Sequence, residues 1–124
     1  MRRSRIALIV AVIACVAAVP AIGAASAAHF KTVHVTVADD YFSPTAVKIK
    51  SGSKVSFDWS DSNLDSHNVR LQKGPKGVKK KDFRSATGAI GIQFAPRFKV
   101  PGKYHFICSL HAAVMTMDVT VKKR

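Results

Sequence analysis

Short runs of alternating apolar and polar residues, turn residues at close intervals between them, and the lack of any sustained helical period predict an all-β fold, an antiparallel β-sandwich. About seven to eight strands fit such a pattern in a chain of this length. Thr32-Val33-His34-Val35-Thr36-Val37 alternates cleanly and puts its three valines on one face. Ala46 to Lys50 and Lys54 to Trp59 read as the next strands, parted by the turn Ser51-Gly52-Ser53. His67 to Leu71 is a further candidate. From Gln72 to Gly91, lysines, glycines and weak periodicity predict a long loop with at most a short strand or one helical turn. Ile92 to Val100 leads into a Pro101-Gly102 turn, Tyr104 to Cys108 alternates again, and Met117 to Lys122 closes the chain.

A different composition precedes these strands. Arg2, Arg3 and Arg5 form a basic start, Ile6 to Val19 is uncharged and apolar, and Ala25-Ser26-Ala27 offers small residues for cleavage. This predicts a signal peptide over residues 1–28 and a single domain over 29–124, exported to a periplasmic or extracellular location. Two other readings stay open. The uncharged run from Ile6 to Ala28 is long enough to remain as a membrane anchor. Val12-Ile13-Ala14-Cys15 resembles a lipoprotein processing box, although the residues after Cys15 stay apolar where a polar tether is expected. Arg2-Arg3-Ser4-Arg5 carries too little of a twin-arginine pattern to fix the export route.

Charge narrows the partners. The chain has 20 Lys and Arg against seven Asp, and a net charge of +13. Three of the cations lie in the leader, so the domain itself carries about +10. Such a field favours acidic proteins or anionic membrane surfaces and makes association salt-sensitive. Nucleic acid is excluded as a partner by the export signal and by the lack of any binding motif. Lys79-Lys80-Lys81 reads as a solvated loop, and the chain as a monomer.

With Cys15 in the leader, Cys108 is a lone thiol in an oxidising compartment and has no partner for a disulfide. A buried inert thiol would be the bland reading of it. Its surroundings argue otherwise, because Cys108, His111 and Met115 share one short loop between two strands, and His67 lies about forty residues upstream at a strand start. A soft thiolate, two imidazoles and a weak thioether form the trigonal ligand set with a distant axial sulfur that suits copper. Zinc competes by ligand type but favours more thiolates in closed tetrahedra. Met117 competes with Met115 for the axial place, but alternation with Val119 and Val121 turns it to their face. His34 and His105 fall on the outward face of their strands and read as surface histidines. His29 would chelate copper only as the N-terminal residue left by cleavage after Ala28, and in a chain otherwise unlike the enzymes that do so.

Nearly all of the domain resembles the cupredoxins of the plastocyanin, pseudoazurin and amicyanin group. The resemblance rests on Phe42-Ser43-Pro44, Gly52 to Phe57, Ser66-His67-Asn68-Val69, Val100-Pro101-Gly102-Lys103-Tyr104, and Cys108-Ser109-Leu110-His111 through Met115 to Val121. It implies Greek-key connectivity, one type 1 copper ion held by His67, Cys108, His111 and Met115, and electron transfer without catalysis of its own. It also implies that Asn68 ties the His67 strand to the Cys108 loop near Ser109. Partners would be redox proteins docking near His111, Leu110 and Ala112, and the cationic field would select acidic ones. The loop departs from the family pattern in having Leu110 and Ala112 where a proline often flanks the histidine. A copper chaperone or storage protein of the same fold is the rival reading, and a sandwich binding no metal is a third.

Overall fold

The computed structural model describes Gly23 and residues 29–124, so the signal peptide, anchor and Cys15 readings lie outside the described residues. Among the described residues eight strands run in order: β1 (Thr32–Ala38), β2 (Tyr41–Ser43), β3 (Ala46–Lys50), β4 (Lys54–Trp59), β5 (Arg70–Lys73), β6 (Gln93–Phe94), β7 (Gly102–Ile107) and β8 (Thr116–Lys122). They form two sheets, with orders β2-β1-β4-β6 and β3-β8-β7-β5.

Period-two alternation produces these strands and closes the sandwich. Val35 and Val37 of β1, Val47 and Ile49 of β3, Val55, Phe57 and Trp59 of β4, Tyr104 and Phe106 of β7, and Met117, Val119 and Val121 of β8 are all buried. The polar residues between them point out, so each strand gives one face to a shared core. Phe57 and Phe106 meet across the two sheets with ring centroids 5.6 Å apart. Phe83, Phe98 and Tyr104 continue the aromatic cluster at centroid distances of 4.9 to 5.3 Å. Phe83 is carried in by one turn of 3-10 helix, Lys80–Phe83, inside the loop expected to hold no more than that.

The expected sandwich is present, and two of its six strand pairings are parallel. These are β1 with β4 and β3 with β8. Alternation sets which face of a strand is apolar and says nothing about its neighbour's direction. Strands 2 and 3 are consecutive in the chain yet lie in different sheets, and this crossing from one sheet to the other lets β1 and β4 run the same way.

Two strand expectations shift. Residues 67–69 do not extend β5. His67 forms an isolated bridge with Gly88, and Val69 N–H donates to Ser85 Oγ at 2.8 Å. The long loop thus returns to flank His67. Ile92 to Val100 keeps only a two-residue strand, β6, because Pro96 has no N–H to offer and meets Val55 through its carbonyl.

Candidate metal centre

Three segments converge at one end of the sandwich. The first is the hinge before β5. His67 exchanges both of its backbone hydrogen bonds with Gly88, N–H to carbonyl at 3.0 and 3.1 Å, which fixes the main chain from which its ring projects. The ring is fully buried.

The second segment is the loop from β7 to β8. Cys108 follows Tyr104 and Phe106 on the inward face, so its thiol enters the core's rim, fully buried. Its N–H donates to the Met115 carbonyl at 3.0 Å, which sets the two sulfur-bearing residues side by side at the loop's stems. Between them, His111 N–H donates to the Cys108 carbonyl at 3.1 Å, and Met115 N–H to the His111 carbonyl at 2.9 Å. These turns put His111 at the tip, with 26 % of its side chain exposed. Met115 is fully buried, and Met117 pairs with Phe106 within the sheet on the same face as Val119 and Val121.

The donor atoms of His67, Cys108 and His111 lie within 4.8 Å of one another. Cys108 Sγ is 4.0 Å from His67 Nδ1 and 3.7 Å from His111 Nδ1. A trigonal ion with metal–nitrogen and metal–sulfur bonds of about 2.0 and 2.3 Å holds such atoms about 3.7 Å apart. Among the described residues the buried Nδ1 of His67 has only that distant thiol as polar partner. Geometry and donor chemistry both fit a copper ion.

Polar ties lock the two ligand segments together. Asn68 Oδ1 accepts from Ser109 N–H at 2.9 Å, and Asn68 Nδ2 donates to Ser109 Oγ at 2.9 Å and Thr87 Oγ1 at 3.1 Å. The Asn68 backbone N–H points at Cys108 Sγ from 3.5 Å. The expected tie from Asn68 to Ser109 is therefore present, and Thr87 and Gly88 of the long loop join it without having been legible in the sequence.

The third segment is the turn Asp39-Asp40 between β1 and β2. Asp39 Oδ1 accepts from His67 Nε2 at 2.7 Å. That bond, with those from the backbone of Leu64 and Asp65, outweighs partial burial and holds the Asp39 carboxyl below its usual range. Asp40 and Asp65 bring their carboxylates within 4.8 Å of His111's outer nitrogen, so the mouth of the site is acidic in a cationic chain.

His34 and His105 stand apart from the centre. His34 is largely exposed and bonds Asp58 at 2.7 Å. His105, on the face opposite Cys108, bonds Asp118 at 2.7 Å. The bond from His105 leads those that overcome burial and keep the Asp118 carboxyl below its usual range.

Comparison with known proteins agrees with this geometry. The family model for copper binding proteins of the plastocyanin/azurin family matches residues 29–122. Amicyanin-alpha of Methylorubrum extorquens is 32% identical over 80 residues, a match spanning 64% of this chain and 64% of that protein. Among solved structures, amicyanin from Paracoccus versutus is 26% identical with a TM-score of 0.61, over 73% of this chain and 81% of that one. A copper-containing nitrite reductase from Thermus scotoductus shares the fold at 24% identity and a TM-score of 0.63. The likeness spans 76% of this chain and only 23% of the reductase.

Proposed function

The chain belongs to the plastocyanin/azurin family of copper-binding proteins, and from that premise we propose that it is an exported carrier of single electrons between redox proteins. Copper is its cofactor. In this reading His67, Cys108, His111 and Met115 would together hold one type 1 ion. When bound, the ion would supply one-electron chemistry by alternating between Cu(I) and Cu(II).

The observation that carries the reading is the meeting of a buried thiol and two imidazole nitrogens at 3.7 and 4.0 Å. Fast electron exchange needs a cage that changes little between oxidation states. Here Cys108 and Met115 are joined through their backbones, Asn68 braces the loop through Ser109, and a packed aromatic core lies beneath. His111 presents its outer edge, flanked in sequence by Leu110 and Ala112, and this is where partners would dock. The domain's net positive charge supports acidic partners at long range. Export to the periplasm or beyond is supported by the basic, apolar and small-residue pattern of residues 1–28. Since the resemblance to the nitrite reductase covers under a quarter of that enzyme, no enzymatic role is taken from it.

Purified protein loaded with Cu(II) should show an intense visible thiolate-to-copper absorption that is lost in Cys108→Ala and kept in His34→Ala. A Cys108→Ala protein with the same spectrum would end the assignment. Electron self-exchange on the loaded protein then separates carrier from storage protein, since a store has no need of rapid turnover.

A further inference from the structure

Asp39 touches the candidate centre from behind, and the electron-carrier reading gives it no part. Its carboxylate is held from three sides. Oδ1 accepts from His67 Nε2 at 2.7 Å and from Asp65 N–H at 3.2 Å, and Oδ2 accepts from Leu64 N–H at 2.9 Å. The short side chain leaves a two-residue turn in which Asp40 takes a positive φ of 64°, directly after the last pair of the β1–β2 ladder, Ala38 with Tyr41. The strand end that carries it is pinned to the same loop, because the Val37 carbonyl accepts from Ser60 N–H at 2.9 Å and from Asn63 Nδ2 at 3.0 Å. Turn, loop and His67 are therefore tied together by hydrogen bonds.

A carboxylate accepts and does not donate, so the ring nitrogen facing it must carry the hydrogen. With Nε2 protonated, the neutral imidazole has its lone pair on Nδ1, the atom that faces Cys108 Sγ. The carboxylate's negative charge, 2.7 Å behind the ring, also favours the more highly charged metal state by Coulomb attraction. Among the described residues, none gives His111 such a hydrogen bond. Its Nε2 lies 4.0 Å from Asp40 Oδ1, beyond hydrogen-bond reach, and its edge meets solvent.

We propose that Asp39 is a positioning residue that fixes the His67 tautomer with Nδ1 free for the metal, and that its charge biases the site toward Cu(II). The second half rests on the copper reading given above. The first half concerns the protein without metal.

The test uses the full chain and two independent readouts. Nitrogen-15 NMR of the metal-free protein reports the His67 tautomer, and competition titrations with Cu(II) and Cu(I) report their relative affinities. Wild type should show His67 protonated at Nε2 alone. Asp39→Ala should populate the Nδ1-protonated form and weaken Cu(II) binding about 10- to 100-fold, the range found when a ligand histidine loses its partner. Asp39→Asn keeps an oxygen for Nε2 at the cost of the bond to Leu64, so it should retain the tautomer and still lose preference for Cu(II) over Cu(I). Asp58→Asn, whose carboxylate bonds His34 apart from the centre, should change neither readout. A wild-type His67 protonated at Nδ1, an Asp39→Ala protein with an unchanged tautomer, or an Asp39→Asn protein with an unchanged Cu(II)-to-Cu(I) ratio overturns the proposal. If Asp39→Ala does not fold, the wild-type spectrum and Asp39→Asn still decide it. Failure of the carrier reading looks different, since wild type would then lack the thiolate-to-copper absorption whatever the His67 tautomer.

Discussion

At the scale of single residues, the sharpest question is which methionine completes the ligand set. Met115 and Met117 are both buried and only two positions apart, but they belong to different surroundings. Met115 shares a backbone bond with Cys108 at the loop's base, whereas Met117 sits opposite Phe106 in the sheet and packs with Val119 and Val121. Losing a weak fourth donor lowers the coordination number, which costs Cu(II) more than Cu(I). Met115→Leu should therefore raise the reduction potential while keeping the thiolate-to-copper absorption. Met117→Leu, a swap of similar volume, should cost under about 1.5 kcal/mol of stability and leave the potential in place. Voltammetry on both variants checks this, and the opposite ranking would hand the axial role to Met117.

At the scale of elements, the site depends on where β7 begins and ends. β7 starts at Gly102, whose φ of 136° is open to glycine and strained for other residues. A Cβ there would lie 2.6 Å from Pro75 Cγ, in the long loop that also reaches back to flank His67. Gly102→Ala should destabilise the fold by about 1–3 kcal/mol from backbone strain alone, and the overlap with the proline ring adds to it. A urea midpoint equal to wild type would refute this. The far end of β7 needs no special residue, because alternation from Tyr104 through Phe106 delivers Cys108 to the core's rim.

At the scale of the whole molecule, charge is uneven in a way the totals hide. The chain is strongly cationic, yet Asp40 and Asp65 gather around the outer edge of His111 and Asp39 lies behind His67. Long-range steering follows the net charge and fades over a Debye length of about 8 Å at physiological salt, whereas the final contact meets the local carboxylates. Transfer rates to an acidic partner should fall with ionic strength, and Asp40→Asn with Asp65→Asn should raise them at low salt. Stopped-flow measurement across a salt series tests both. Rates that rise with salt, or that drop in the double variant, would mean the partner presents cations to this mouth.

The sequence alone determined the class of the fold, because alternation in five main strands states which face of each is apolar. It also held the chemistry of the proposed site, since a cysteine, two histidines and a methionine at those spacings are local facts of residue type. Strand direction was not legible. A period of two is the same read forwards or backwards, and only the crossing of the chain between sheets made two pairings parallel. Nor was the framing of His67 by Asp39, Thr87 and Gly88, residues about 20 to 30 positions away in the chain whose type signals a turn or loop and nothing more. Their part comes from long-range packing, which brings together groups that no local pattern relates.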